Sequence, residues 1–333
     1  MRTIALEEHF TTPAFLEGAG RAFCDGMLKS GGSYAAKIFA QLGDLGDRRI
    51  AEMDAAGLDM QVLSLNYPGT EQSEGDEAIA TAREANDVLA AAVRKYPTRL
   101  AGLAALPTPA PDKAAAELEL RVRRDGFNGA VINGHCRGRY LDDSFFWPIL
   151  ECAEALGVPI YLHPTLPPKP VIEASYGGFS PPETFMLAGP GWGWHIETGV
   201  HVIRMMLRGV FDRFPKLQFV IGHMGEGLPF MLPRLENSGS GLSRTSAQSS
   251  GAKLQRSLGD YLRQNVHYTF AGFNFPATFQ NLLAEVGIGR IMFSVDYPYG
   301  SMANALAFLN GLPISAADRE RIAHGNAEAL FKR

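Results

Sequence analysis

Apolar positions along the chain fall into short runs, separated by longer stretches in which they recur every three or four residues. Eight runs, at 3–6, 60–65, 100–106, 129–132, 158–162, 217–221, 266–269 and 290–295, are nearly continuous in apolar character and of strand length. Between many of them, residues 79–93, 111–124, 144–155, 199–213, 276–285 and 316–327 carry helical periodicity. A strand buried on both faces has no solvent side to mark with polar residues. Apolar runs alternating with helices therefore predict parallel strands covered by helices, and eight such units predict a closed (β/α)8 TIM barrel with loop insertions. The alternative, an open doubly wound sheet, would require a glycine-rich nucleotide loop after the first strand, and none follows it.

A barrel core takes roughly 250 residues, and the chain has 333. The excess is expected in an insertion around 21–49, which contains Gly31-Gly32, and in the Pro-, Gly- and aromatic-rich stretch 167–194. A third candidate is the Ser/Gly-rich stretch 237–251, expected to be mobile or to lie along an edge. No linker, constant-period repeat or charge block divides the chain, so one domain over 1–333 is expected.

Composition narrows the function. Lys+Arg number 31 against 35 Asp+Glu, a net charge of −4, which excludes a broadly basic nucleic-acid binder. Cys24, Cys136 and Cys152 are too few and too scattered for a disulfide framework or a thiolate zinc site, which points to a reducing compartment. Glu7-Glu8-His9 interrupts the apolar start before a signal-peptide core can form. No run approaches the roughly 18 apolar residues needed to span a membrane. A cytoplasmic protein with no membrane partner is expected.

The polar residues of interest stand at strand ends, which a barrel gathers at its C-terminal mouth. Glu7 and His9 close the first run and, two apart in extended chain, face the same side. His163 follows 160–162, His223 follows 219–222, and Asp296 follows 292–295. Glu7, His9, His163 and Asp296 form a candidate metal shell whose nitrogen and oxygen donors suit zinc or manganese. In His223-Met224-Gly225-Glu226, the glutamate can orient His223 toward Asp296 as a proton-transfer relay, although Glu226 could instead favour a helix start. Arg234 suits a substrate carboxylate; a solvated or subunit-interface arginine is the competing reading. Trp192, Trp194, His195, Phe273, Phe275, Tyr297 and Tyr299 crowd the expected rim, where they could line a pocket for an aromatic ring or serve as packing. His267 reads as structural, and His135, His201 and His324 are assigned no chemistry.

The motifs Ile4-Ala5-Leu6-Glu7-Glu8-His9-Phe10, Tyr161-Leu162-His163-Pro164, Ile221-Gly222-His223-Met224-Gly225-Glu226-Gly227-Leu228-Pro229-Phe230 and Phe293-Ser294-Val295-Asp296-Tyr297-Pro298-Tyr299 resemble those of the amidohydrolase-related metal-dependent barrels. Within them the chain is most similar to the branch of gamma-resorcylate and related hydroxybenzoate decarboxylases. The likeness runs from Ile4 to the ending Gly325-Asn326-Ala327-Glu328-Ala329-Leu330-Phe331. It implies Glu7, His9, His163 and Asp296 as ligands of zinc or manganese, and His223 and Glu226 as assistants of a catalytic Asp296. It also implies Arg234 near the substrate and a homodimer or homotetramer without an organic cofactor. The reaction it implies is nonoxidative decarboxylation of an ortho-hydroxybenzoate, with Asp296 protonating the ring. Phe273, Tyr297 and Trp194 are the rim residues expected to meet that ring. Asn66-Tyr67-Pro68 and the loop 133–140 depart from the branch's pattern. The wider family includes hydrolases of lactones and related substrates, in which the same aspartate activates water; that is the alternative activity.

Overall fold

The computed structural model describes residues 1–245 and 254–331. Its strands are β1 (Ile4–Phe10), β2 (Met60–Leu65), β3 (Leu100–Gly102), β4 (Ala104–Ala105), β5 (Ala130–Asn133), β6 (Ile160–His163), β7 (Phe219–Ile221), β8 (Val266–Thr269) and β9 (Ile291–Met292). Every pairing is parallel, in the orders β1-β2-β3 and β4-β5-β6-β7-β8-β9. β3 and β4 are two parts of the single run expected at 100–106. At the break, Leu103 N still donates to Leu63 O at 2.9 Å, whereas Ala104 N turns to Gly129 O at 2.8 Å. The Leu6–Ser294 bridge and the bond from Leu6 N to Phe293 O, 3.1 Å, join the first strand to the last and complete the TIM barrel.

Alternate residues of the strands enter two apolar layers. Ile4, Leu6, Val62, Val131, Val220 and Met292 fill the barrel interior. Ala5, Leu63, Ile132, Leu162, Ile221 and Phe293 face the surrounding helices. This double burial is why the strands read as unbroken apolar runs. Helices Gly75–Lys95, Pro111–Asp125, Trp147–Leu156 and Pro276–Val286 overlie four of the expected segments. No helix among the described residues is long and apolar enough to cross a membrane.

Boundaries differ where polarity or glycine misleads. β1 runs on through Glu7-Glu8-His9 to Phe10 because the barrel mouth buries these polar residues completely, so their charge does not end the strand. β9 is two residues long; Arg290 belongs to the preceding 3-10 turn Ile288–Arg290, and Phe293 N leaves the ladder for Ile322 O at 3.0 Å. The helix expected at 199–213 starts at Gly193 and breaks at Gly209, whose φ of 71° is left-handed, before Val210–Arg213. The insertion at 21–49 holds the helix Arg21–Leu42, kinked at Gly32 (φ 51°), and the start of Asp47–Ala56. Of the stretch 237–251, residues 237–245 continue the helix Leu228–Thr245, and the remainder lies outside the described residues. The last helix is divided into Ala316–Glu320, a π turn Arg321–Gly325 and Asn326–Phe331.

Candidate active site

Leu6 pairs with Val62 and Glu8 with Leu63, leaving Glu7 as an unpaired extra residue with φ of 67°. It is a β-bulge, a device that re-aims side chains at sheet ends. Ligand atoms of Glu7, His9 and His163 lie within 4.8 Å of one another, all buried. Glu7 Oε2 accepts from the Tyr161 hydroxyl and from Thr269 Oγ1, the latter at 3.2 Å. Glu7 Oε1 is buried with no hydrogen-bond partner among the described residues. His163 Nδ1 donates to Pro164 O at 2.8 Å, which leaves Nε2 as the free acceptor, 3.5 Å from Glu7 Oε1. Asp296, in the loop after β9, brings Oδ1 to 3.2 Å from His9 Nε2 and keeps a fifth of its side chain exposed. The sequence therefore places all four proposed ligands at one mouth, three as a tight group and Asp296 beside them.

Gly222, immediately after β7, makes room for this group: a Cβ there would collide with the Glu7 carboxylate. Gly222→Ala is expected to weaken manganese binding at least ~10-fold, as loss of ligand support typically does. Calorimetric titration reads it, and unchanged affinity would remove Glu7 from the ligand set.

Beside the group, Glu226 bridges two imidazoles. His223 Nδ1 donates to Glu226 Oε1 at 2.7 Å, and His195 Nδ1 donates to Oε2 at 2.6 Å. Burial opposes charge on His223, but the carboxylates of Glu226 and Glu7 outweigh it and push the imidazole up to about 10. Burial would likewise raise Glu226, yet His223 and His195 pull it down to about 2. Each group thus favours the charged form of the other. The role of His195 was not visible in the sequence. A histidine inside an apparent insertion has no strand-end position to mark it, and its neighbours Trp192 and Trp194 point only to a rim.

Glu7, His223, Glu226 and Asp296 all have left-handed backbones, with φ of 67°, 50°, 56° and 66°. Such conformations cost about 1–3 kcal/mol each for non-glycine residues and concentrate at functional sites. Desolvation also works against this arrangement. Burial drives Glu7 up to about 8 and Asp296 up to about 7, each against the pull of His223, and drives His9 down to about 3. His163 is held well below its ordinary value by burial and by His9 and His223. Neutral imidazoles and crowded, poorly solvated carboxylates around an orphaned oxygen are what a divalent cation would satisfy, and the N/O donor set fits zinc or manganese.

The rim residues separate. Trp194 packs edge-on against His163 (ring centroids 6.4 Å), and Phe273 against His195 (5.2 Å) and His223 (5.3 Å). Tyr297 does not face the group: its hydroxyl donates to Glu52 Oε2 at 2.8 Å and Arg49 covers its ring at 4.6 Å. The chain turns after Asp296, so it is Tyr299 that reaches the site, with its ring 5.9 Å from that of His9. Arg234 is exposed on the helix Leu228–Thr245. Trp192 and Phe275 are also exposed.

Known proteins share this architecture. Gamma-resorcylate decarboxylase from Polaromonas sp. (strain JS666) is 37% identical, covering 99% of this chain and 98% of its own. The crystal structure of 2,6-dihydroxybenzoate decarboxylase complexed with 2,6-dihydroxybenzoate has a TM-score of 0.89 at 36% identity, with both chains fully covered. That of 5-carboxyvanillate decarboxylase from Novosphingobium aromaticivorans, complexed with manganese and 4-hydroxy-3-methoxy-5-nitrobenzoic acid, scores 0.90 at 34% identity, covering 100% of this chain and 96% of that one. The amidohydrolase family model matches residues 33–333. With a shared barrel and near-complete coverage, the chain belongs to the amidohydrolase family.

Proposed function

We propose that this protein is a metal-dependent nonoxidative decarboxylase of an ortho-hydroxybenzoate-type aromatic acid. The observation that carries the reading is a buried Glu7–His9–His163 ligand group with Asp296 at its edge and a charged His223–Glu226 pair alongside. Full-length relatives named as dihydroxybenzoate decarboxylases support the substrate class. A divalent ion, manganese or zinc, held by Glu7, His9, His163 and Asp296 would supply Lewis acidity that lowers the pKa of an ortho hydroxyl and fixes the ring. No organic cofactor is required.

Asp296 delivers a proton to the ring carbon that bears the carboxylate. The carbon–carbon bond then breaks, its electron pair restores the aromatic ring, and carbon dioxide leaves. His223, held in its charged form by Glu226, steers Asp296 and offsets charge that develops near it. Trp194 and Phe273 flank the ring and exclude water, and Arg234 is assigned to the substrate carboxylate. Exposed Phe230 and Met231, near Arg234 on one helix, support assembly as a homodimer or homotetramer. One apolar layer extending from Ala5 to Ala323 supports a single domain. Three free thiols support a cytoplasmic location.

The test is incubation of manganese- or zinc-loaded protein with a panel of ortho-hydroxybenzoates and small lactones. Carbon dioxide release from a hydroxybenzoate is expected. Acid release from a lactone without carbon dioxide would replace this reading with the hydrolase.

A further inference from the structure

The mouth holds another fully buried carboxylate, Glu8, which takes no part in the chemistry above. It lies between two proposed ligands in sequence but serves a different loop. Its Oε1 accepts from Val295 N at 2.8 Å, and its Oε2 accepts from Tyr297 N at 3.3 Å. These amides belong to the residues on either side of Asp296, whose φ is 66°. The next residue of β1 fastens the same loop, His9 N donating to Tyr297 O at 2.8 Å.

Behind Glu8 stand a glutamine and a buried guanidinium. Gln61 Nε2 donates to Glu8 Oε2 at 3.3 Å, and Gln61 Oε1 accepts from Arg49 Nη1 at 3.2 Å. Arg49 is wholly buried and donates to His9 O at 2.8 Å. Val295 N, Tyr297 N and Gln61 Nε2 all donate to the Glu8 carboxyl group, which therefore serves these partners as an acceptor. A left-handed backbone at a non-glycine residue relaxes unless its surroundings over-determine it. Two amides held by one carboxylate supply that constraint.

We propose that Glu8 is a positioning residue for Asp296: by accepting the amides on both sides of it, Glu8 fixes the left-handed turn that aims the Asp296 carboxylate at His9 and the ligand group. This rests on the proposed role of Asp296 at the metal. One segment of β1 thus has two duties, with Glu7 and His9 as ligands and Glu8 holding the fourth ligand from behind. Glutamine cannot replace it, because its amide nitrogen would face an N–H donor.

The test is a double-mutant cycle on the full chain, read by manganese titration after chelation. The four proteins are the wild type, Glu8→Gln, Asp296→Ala and the double variant. Glu8→Gln is expected to weaken manganese binding ~10–100-fold in the wild-type background. In the Asp296→Ala background it should change affinity by less than about twofold, because the group it positions is gone. An equal loss in both backgrounds, as general structural damage would give, overturns the proposal, as does an effect below twofold on the wild type. Should Glu8→Gln fail to fold by circular dichroism, Glu8→Asp enters the same cycle under the same criteria; it keeps the carboxyl group but falls one methylene short of the amides. A wild-type protein that binds manganese yet releases no carbon dioxide overturns the decarboxylase reading alone. One that binds neither manganese nor zinc overturns both.

Discussion

Asp296→Asn is expected to lower kcat by about 10³-fold, within the range typical of a positioned general acid, equivalent to about 4 kcal/mol of barrier. The amide retains an oxygen that can face the metal but has no acidic proton to give to the ring. Metal content should therefore stay close to that of the wild type, and KM should move far less than kcat, since the loss falls on the transition state. Steady-state carbon dioxide release together with elemental analysis reads both quantities. A fully active variant would remove Asp296 from the chemistry and turn attention to His223 as the proton source.

His9→Ala should have the second large effect. His9 is completely buried, its imidazole is kept neutral by desolvation, and its Nε2 stands 3.2 Å from Asp296. Loss of supporting residues around a metal costs ~10–100-fold in affinity, so loss of a ligand itself should cost at least the upper figure. The consequence is visible without turnover. A ligand present at 100 times its Kd stabilises the folded state by about 2.7 kcal/mol, and one present at its Kd by only about 0.4 kcal/mol, so added manganese should raise the Tm of the wild type and shift that of His9→Ala far less. A variant whose Tm still responded fully would show that the ion sits elsewhere.

Much of this organisation was legible in the sequence, for identifiable reasons. Burial on both faces leaves a parallel strand apolar throughout, so most of the eight runs contrast with amphipathic helices, the short second and fourth least clearly. Strand ends become the mouth by topology alone, so Glu7, His9, His163, His223 and Asp296 could be grouped before any geometry was known. What escaped was whatever depended on contacts across the barrel. Glu8 looked like an ordinary strand-ending charge and is instead bonded to the far loop. His195 gains its meaning only because Glu226 has two oxygens and His223 occupies one. Tyr297 was expected at the ring, but the turn after Asp296 sends it to Glu52, and no period in the sequence encodes that turn. The Glu7 bulge was equally silent, since one extra residue leaves the hydropathy of β1 unaltered.

The two-pronged hold of Glu226 bears on how this scaffold could be re-engineered. His195 comes from the helix Gly193–Leu207, which begins inside the long crossover between β6 and β7, whereas His223 comes from the turn after β7. Trimming that crossover to admit bulkier substrates would remove one anchor of the charged pair as well as part of the wall. If the proposed roles hold, selectivity and proton handling are mechanically linked through this crossover, and single side-chain changes at Trp194 or Phe273, which touch the histidines without carrying the Glu226 anchor, are the better route to wider scope than remodelling the loop.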